Sequence, residues 1–345
     1  MNWKKFWPGT IRLTLIIMLV IYTLIILVDP YDSFAISMPA KRVPIAANQR
    51  FSYPAIAKDN SFNSLIIGTS TVRLLNPDIL DIEFDTNFAN LSMNSSTAYE
   101  QYKIYDLFRG NHDFIKYMIL GVDVVWCDTR QEPDKFTFRP FPPWLYDNNK
   151  WNDYLYMFND KALENAVRLI EYWLGKREPR QGINGYSNFL EKWAPYNLNK
   201  AVNNLYGSSD RKKEFTEKYM TSKNMPVTNK ENIYTFPIHE LMSDILLSLD
   251  KDTIKIILFV PYHYKTIYSG YERYEQCKSE ISKLSSNFEN IHLVDFMFFS
   301  DITTKDSNYW DSIHYRLDIA EQVPFLISQT IKYRKGIDNK TKYIK

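Results

Sequence analysis

Five short, almost uninterrupted apolar runs constrain the fold of this chain more than any other feature of its sequence. Near-continuous apolarity over so few residues is typical of parallel β-strands that are covered on both faces. Apolar residues at helical spacing separate the runs, and this alternation predicts a doubly wound, three-layer α/β/α domain with a parallel sheet. The predicted strands are Ser64 to Gly68, Phe88 to Leu91, Tyr117 to Val122, Ile254 to Val260 and Ile291 to Phe296.

The third and fourth predicted strands are separated by about 130 residues, far more than a single crossover helix needs. We therefore expect an insertion at about 130–240 that begins with a cluster of Phe, Pro and Trp and contains a helix near Lys161 to Leu174. Two interpretations stay open. The insertion is either a helical, aromatic-rich subdomain packed over the sheet or a lid or wall that shapes a substrate groove. The second interpretation arises because α/β sheets bind ligands at the carboxyl ends of their strands.

A run of sixteen residues without charge, Leu13 to Val28, lies near the N-terminus. At about 1.5 Å per residue it would cross roughly 24 Å of bilayer, and Trp3 and Trp7 lie where an interfacial aromatic belt is expected. Residues 1–29 are predicted to be a cytoplasmic stub and a retained transmembrane anchor, with the lipid bilayer as partner. The alternative, a cleaved signal peptide, lacks a small-x-small site after the run. The flanking charges predict a cytoplasmic N-terminus and an extracytoplasmic main domain, in the periplasm or at the cell surface: Lys4, Lys5 and Arg12 precede the run, and Asp29 and Asp32 follow it.

Proline spacing and charge set the remaining expectations. Four prolines between residues 30 and 62 predict a stalk, residues 63–335 are the predicted α/β domain, and residues 336–345 are expected to be a polar tail. A net charge of +2 argues against nucleic acid as a partner. The histidines lack metal-ligand spacing and the sequence has no phosphate-binding glycine motif, so no metal and no cofactor are expected. Cys127 and Cys277 can form one disulfide or stay two buried thiols.

Three polar residues stand where a sheet of this kind places its chemistry. Ser70 follows the first predicted strand, so its hydroxyl would lie at the carboxyl edge of the sheet; the ordinary alternative is a helix N-cap. Asp311 and His314 precede the last helical stripe and can point to the same side. The carboxylate would then bind one ring nitrogen and leave the other for a nucleophile. The alternatives are an N-cap for the aspartate and a surface position for the histidine.

The order, strand context and D-x-x-H spacing of these residues resemble the SGNH (GDSL-type) hydrolase superfamily, with its flavodoxin-like fold. The resemblance covers the chain from about residue 63 to 331 and implies Ser70 as nucleophile, His314 as general base and Asp311 as the residue that holds the imidazole. A second block, Asn90 to Thr97 (NLSMNSST), is similar to the Asn-Leu-Gly-x-Ser-Gly-x-Thr run of these proteins. Ser95 then occupies the position of the glycine whose N–H serves the oxyanion hole.

The sequence departs from the superfamily pattern in two further blocks. After the third strand, Asp123 stands where an asparagine side chain usually donates to the oxyanion, and a carboxylate would repel that charge. Thr69 stands where the GDS motif has aspartate. Asn94 or Arg73 could supply the missing donor. His263, just after the fourth strand, is a candidate pocket residue at the same sheet edge.

An outward-facing domain of this kind on an N-terminal anchor looks like the proteins that add or remove acyl groups on exopolysaccharide, peptidoglycan or teichoic acid, including alginate O-acetylation and D-alanine transfer proteins. The resemblance implies a serine acyl esterase or O-acyltransferase that acts on a cell-envelope carbohydrate through an acyl-enzyme. It also implies a multi-spanning membrane acyl-transfer protein as a partner. The second hypothesis, motivated by Asp123, Thr69 and Ser95, is a catalytically inactive relative that binds glycan or scaffolds an envelope biosynthesis complex.

Overall fold

The computed structural model describes residues 3–34, 36–147, 149–190, 195–221 and 232–345, with side chains from Phe6 onward except at positions 220 and 221. The side chains of Trp3, Lys4 and Lys5, which entered the topology prediction, lie outside the described part. The chain divides into two compact units that each combine distant segments. Unit 1 consists of Met1–Ile56 and Arg139–Ile183, and unit 2 consists of Ala57–Phe138 and Asn184–Lys345.

Unit 2 has a mixed α/β fold built on a six-stranded, mostly parallel sheet with the order β2-β1-β3-β4-β5-β6. Five parallel strands lie where the apolar runs predicted them, and each is buried along nearly its whole length. The sixth pairs antiparallel with β5 and falls within residues 336–345, which we had expected to be a polar tail. The strands are β1 (Ser64–Ile67), β2 (Phe88–Asn90), β3 (Tyr117–Val122), β4 (Ile254–Phe259), β5 (Ile291–Asp295) and β6 (Lys342–Tyr343).

The register of the parallel strands aligns their carboxyl ends. Ile67 on β1 pairs with Leu120 on β3, and Val122 on β3 pairs with Phe259 on β4. The strand order reverses at β1, which lies between β2 and β3. Segments that follow β1, β2, β3 and β4 therefore meet at one edge of the sheet, next to the point of reversal.

The helices of unit 2 connect these strands. Helix α3 packs against α12, and α4 packs against α9, where the Tyr105 hydroxyl lies 2.6 Å from Ser248 Oγ. Local sequence explains where α4 begins, because Thr97 and Glu100 form a reciprocal capping box. The helices are α3 (Pro77–Phe84), α4 (Ala98–Asn111), α7 (Leu198–Tyr206), α8 (Ser209–Thr221), α9 (His239–Ser248), α10 (Tyr264–Ser269), α11 (Tyr271–Ser285) and α12 (Leu317–Tyr333).

Unit 1 is helical and includes the N-terminal apolar segment. Its helices are α1 (Trp3–Val28), α2 (Gln49–Ala57, which ends at the unit boundary), α5 (Lys150–Tyr156) and α6 (Asp160–Trp173). Within α1, Phe6–Val28 is long and apolar enough to cross a membrane, with a mean hydropathy of 2.7. This span is longer than the sixteen uncharged residues that the sequence singled out, because the helix continues through Arg12 and Pro8.

The segment that we expected to be a stalk has partners within unit 1. The Tyr31 ring contacts the Trp144 ring at 5.9 Å, and Asn165 Nδ2 donates to the Tyr31 hydroxyl at 3.0 Å. Trp173 Nε1 donates to the backbone oxygen of Lys41 at 2.7 Å. Part of the predicted insertion, residues 139–183, thus packs with residues 30–56, and its remaining described residues belong to unit 2. Residues 191–194 and 222–231 of that insertion lie outside the described part.

Cys127 and Cys277 form a disulfide within unit 2, with 5.5 Å between their Cα atoms. The bond joins the segment that follows β3 to helix α11. The open question from the sequence, one bridge or two thiols, is answered in favour of the bridge.

Candidate active site

The turn that carries Ser70 is fixed by close packing at the ends of β1 and β3. Val72 is fully buried there, against Gly68 on one side and Gly121 on the other. A Cβ at Gly121 would lie 2.6 Å from Val72 Cγ1, and a Cβ at Gly68 would be closer still to this side chain. The two glycines therefore let the chain turn sharply after β1 and hold Ser70 at the carboxyl edge of the sheet.

Ser70, His314 and Asp311 form one chain of hydrogen bonds. Ser70 Oγ lies 2.8 Å from His314 Nε2, and His314 Nδ1 lies 2.8 Å from Asp311 Oδ2. Burial alone would raise the pKa of Asp311, but its bonds to the imidazole and to the N–H groups of Ile313 and His314 lower the pKa overall. An ionised Asp311 favours the ring tautomer with its proton on Nδ1, which leaves Nε2 to accept the serine proton.

The loop that carries Asp311 and His314 is closed on itself. Tyr309 and Tyr315 form an isolated antiparallel bridge, and Trp310 N donates to the His314 carbonyl oxygen at 2.9 Å. Helix α12 begins only at Leu317, so the pair lies in this loop and not in a helical turn. Asp311 is consequently not the N-cap of α12, which was the ordinary alternative for this residue.

The second block is attached to the nucleophile turn. Met93 N and Ser96 Oγ both donate to the Gly68 carbonyl oxygen, at 3.1 and 3.0 Å. Ser95 adopts a left-handed backbone with φ of 54°. Within the described part of the chain, neither the Ser70 N–H nor the Ser95 N–H donates a hydrogen bond. Two backbone donors are thereby left for a ligand at this edge.

Asn90 supports the same turn, a role that the sequence analysis missed. Its side-chain Nδ2 donates to the carbonyl oxygens of Val72 at 3.1 Å and Leu75 at 2.9 Å. The signal was present, because Asn90 opens the second block. Only the three-dimensional structure shows that its amide reaches the chain just beyond Ser70.

Asp123 is hydrogen-bonded to the nucleophile turn through one carboxylate oxygen and to its own loop through the other. Thr69 Oγ1 and Thr71 Oγ1 donate to Oδ2, and Val125 N donates to Oδ1 at 2.9 Å. Burial raises the pKa of this carboxyl, although the three donors act in the opposite direction. The two departures from the superfamily pattern, Thr69 and Asp123, are therefore one hydrogen-bonded pair that flanks Ser70.

Arg73 places a positive charge beside the site. The side chain is only 3% exposed, and Nη1 donates to Asn94 Oδ1 at 2.9 Å. Its guanidinium lies over the Phe189 ring at 4.6 Å, and that ring meets the edge of the His314 ring at 6.0 Å. Arg73 Nε is buried without a hydrogen-bond partner among the described residues. Phe189 gave no signal in the sequence, because it lies in a loop without periodicity.

The side chain of His263 does not reach Ser70 in the structure. It forms a separate cluster, the buried pair, in which His263 Nε2 lies 3.0 Å from Asp306 Oδ1. Lys265 N donates to His263 Nδ1 at 3.3 Å, so both ring nitrogens have partners. The backbone N–H of His263 donates to the Ser312 carbonyl oxygen at 3.3 Å. His263 thus holds the loop of Asp311 through its backbone, and its ring is bound to Asp306 instead of lining a pocket beside Ser70.

A small cavity of about 200 Å³ adjoins the second block. Its lining includes Ser95, Thr97, Asp128, Asp134 and Phe136, so hydroxyls, carboxylates and one aromatic ring share its wall. Because Ser96 is bonded to Gly68 and Val125 to Asp123, two sides of the cavity are anchored to the turn that carries Ser70.

The arrangement has the parts of an activated serine: a hydroxyl, a base that accepts from it, a carboxylate that orients the base and unpaired backbone donors nearby. In the part of the chain that the structure describes, no group of three or more His, Cys, Asp or Glu side chains could hold a metal ion. No protein-family model matches the chain, and no curated protein matches it at a significant level.

Proposed function

We propose that this protein is a membrane-anchored serine esterase or O-acyltransferase of the SGNH type, which acts on a cell-envelope polysaccharide through an acyl-enzyme. The observation that carries the proposal is the continuous chain from Ser70 Oγ through His314 to Asp311, with 2.8 Å at both steps. Such geometry is how a serine nucleophile and its base are recognised on unrelated folds.

The sheet supports the proposed fold class. Strands β2-β1-β3-β4-β5 run parallel in the order that flavodoxin-like folds share, and these folds bind ligands where the order reverses. Right-handed crossovers would place the α3–α12 pair and the α4–α9 pair on opposite faces, which makes three layers. Ser70 lies directly after β1, the strand at the reversal.

In the proposed reaction, Ser70 Oγ attacks the ester carbonyl carbon while His314 Nε2 takes the hydroxyl proton. The N–H groups of Ser70 and Ser95 donate to the carbonyl oxygen as it becomes negative. The carbon–oxygen bond to the leaving alcohol then breaks, and His314 returns the proton to that oxygen. Water or a sugar hydroxyl next gives its proton to His314 and attacks the acyl carbon. The bond from that carbon to Ser70 Oγ then breaks, and His314 returns the proton to Oγ, which regenerates the serine. Asp311 stabilises the imidazolium in both halves.

Arg73 is our candidate for the electrostatic role of the missing asparagine. It lies three residues after the nucleophile, and Asn94, which accepts its hydrogen bond, is adjacent to Ser95. An arginine stays protonated in a site of this kind and strengthens any hydrogen bond to an oxyanion. Asn94 directs its amide oxygen at the guanidinium, so its own role is to orient Arg73.

Location and substrate rest on separate observations. Lys4, Lys5 and Arg12 before the uncharged run favour a cytoplasmic N-terminus. The Cys127–Cys277 disulfide is typical of proteins outside the reducing cytoplasm. The cavity beside Ser95 is lined by hydroxyls, by Asp128 and Asp134, which are both ion-paired with Arg130, and by the Phe136 ring. Such a lining suits sugar hydroxyls and the apolar face of a sugar. A multi-spanning membrane protein as acyl donor remains part of the proposal.

One observation favours the second candidate, a catalytically inactive glycan-binding or scaffold protein. Asp123 occupies the position of an oxyanion donor and offers a carboxylate there. If that carboxylate stays ionised when substrate binds, its charge opposes the transition state, and loss of one oxyanion donor alone costs about 100-fold or more in turnover.

The first test is covalent labelling of Ser70 by a fluorophosphonate, read as intact mass on the full-length protein in detergent. We expect one adduct on the parent and none on Ser70→Ala, and very slow labelling of His314→Ala because the base is lost. Ser61→Ala, which removes an exposed serine just before β1, is the matched control and should label like the parent. A folded parent that takes no adduct would favour the inactive candidate.

A further inference from the structure

Exposure along α1 changes abruptly near its C-terminal end. Every described side chain from Phe6 to Val20 is exposed, whereas Ile25 and Val28 are at most 1% exposed, because α6 packs against this end of the helix. The part that is exposed on all sides covers fifteen residues and so only about 22 Å, against roughly 30 Å for a hydrocarbon core. A bilayer around α1 would therefore extend past Val20, to the C-terminal part of the helix where other segments of unit 1 pack against it.

Helix α5 lies at that level. The Tyr22 hydroxyl donates to the Tyr154 carbonyl oxygen at 2.6 Å, and the Tyr22 ring meets the Phe158 ring edge-on at 5.7 Å. One side of α5 faces the protein: Asp153 and Met157 are buried, and the Tyr154 ring stacks on Phe34 at 4.2 Å. The helix is thus held in place beside α1 by its inner side.

The outer side of α5 is apolar and uncovered. Trp151 is 82% exposed and Leu155 is 80% exposed, and Tyr156 and Phe158 are exposed as well. A second apolar segment lies next to α1, because Met38 N donates to the Leu27 carbonyl oxygen at 2.8 Å. Its Ile36 and Met38 side chains are also exposed. Contiguous exposed apolar groups of this kind mark an interaction surface.

We propose that these two segments form a membrane-seated face, defined by Ile36, Met38, Trp151, Leu155, Tyr156 and Phe158, that rests in the lipid headgroup layer around the C-terminal end of α1. Lipid is the occupant we infer because the face adjoins a helix whose apolar side chains from Phe6 to Val20 are exposed on all sides, and the inference rests on the membrane anchor of the proposed function. Helix α5 also combines Trp, Tyr and Leu with Lys150, a composition that is typical of interfacial helices. Unit 1 then seats the protein on the bilayer and α1 is not its only contact with lipid.

The same unit offers a reference position remote from α5. Helix α6 starts just after Phe158, contacts Tyr31 through Asn165 and contacts the Lys41 backbone through Trp173, so its far end lies away from α5. Leu174 at its far end is 62% exposed and lies about 21 Å along the helix from its start. Leu174 is therefore a control for Leu155, because it is the same residue type and is also exposed.

The test uses single cysteines labelled with the fluorophore NBD, in the full-length protein in phosphatidylcholine–phosphatidylglycerol nanodiscs. Both native cysteines are bridged, so an introduced thiol is labelled selectively. We expect lipids brominated on the acyl carbons nearest the headgroup to quench Leu155→Cys at least about twofold more than Leu174→Cys, and aqueous iodide to show the reverse. Ile36→Cys gives a second reading from the other segment if Leu155→Cys does not fold.

Two results would overturn the proposal. A Leu155 label that iodide quenches as strongly as the Leu174 label, with no stronger quenching by brominated lipid, would mean that α5 stays in water. A Leu155 label shielded from both brominated lipid and iodide would mean that protein covers this face, either a second copy of the chain or another membrane protein.

Discussion

Two histidine–aspartate pairs lie in unit 2, and they differ in what the second ring nitrogen contacts. In the site pair, His314 holds Asp311 with Nδ1 and faces Ser70 with Nε2. In the buried pair, His263 holds Asp306 with Nε2, and its Nδ1 accepts from the backbone of Lys265. The side chain of His263 is fully buried, whereas that of His314 is 18% exposed. Contact between a histidine and a carboxylate therefore indicates a catalytic role only when the other ring nitrogen faces a nucleophile and not a backbone donor.

The surroundings of the two carboxylates extend the contrast. Asp306 also accepts from Tyr206 Oη at 2.8 Å and from Lys212 Nζ at 2.6 Å, which ties helices α7 and α8 to the sheet edge. These partners and His263 lower the pKa of Asp306 to about 2 against the opposing effect of burial. The buried pair is thus part of the packing that supports the site loop, whereas the site pair contacts Ser70.

The largest effect we expect separates the pairs by activity. His314→Ala should lower the turnover of 4-nitrophenyl acetate by about 10³- to 10⁴-fold, because Ser70 loses its base. His263→Gln, which keeps a donor for Asp306, should stay within about tenfold of the parent. The rates are measured on full-length protein in detergent, with Ser70→Ala as the background. Equal losses in the two histidine variants would remove the distinction between the pairs.

A smaller effect should separate them by stability. Asp306→Asn is expected to lower the free energy of unfolding by about 2–3 kcal/mol, since it removes a charged acceptor from three partners, two of which are largely buried. The side chain of Asp306 is 15% exposed and that of Asp311 is 36% exposed, so Asp311→Asn should cost less. Urea titrations of the detergent-solubilised variants check this. Asp318→Asn, at a 67% exposed position of α12, is the control that should change little.

The smallest effect concerns pH. Burial lowers the pKa of His263 below its usual 6.5, and an Nδ1 that accepts a hydrogen bond agrees with a neutral ring. Its contribution to stability is therefore complete above about pH 6.5 and is lost as the pH falls towards the folded-state pKa. Asp306 stays ionised through this window because its pKa is about 2.

The loss of unfolding free energy between about pH 7.5 and about pH 5.5 should thus be smaller in His263→Gln than in the parent. The comparison between variants is necessary because other groups titrate in the same window. Burial raises the pKa of Asp81 to about 6, for example, which adds stability as the pH falls. An identical pH dependence in both proteins would contradict a neutral, buried His263.

Sequence patterns predicted the local parts of the sheet and of the site. The five parallel strands follow from short apolar runs, and Asp311 and His314 are only three residues apart, so their contact depends on little else. Ser70 was placed by its position directly after β1. These features depend on strand propensity and on neighbours in sequence, which a single sequence exposes.

The parts that the sequence did not predict depend on contacts between distant segments. Tyr31 packs against Trp144 and Asn165, more than a hundred residues away, and this turns the expected stalk into part of unit 1. Strand β6 is two residues long and lies in a polar stretch, so it has no apolar run to reveal it. His263 was placed at the correct sheet edge, but only the position of Asp306 decides where its ring points.

The Thr69–Asp123 contact has a consequence for how these two positions respond to substitution. The hydroxyl of Thr69 donates to the carboxylate of Asp123, so the two side chains act as one unit. Aspartate at position 69 alone would set two carboxylates against each other in a buried turn. The two positions are therefore epistatic: the effect of a change at one depends on the residue at the other.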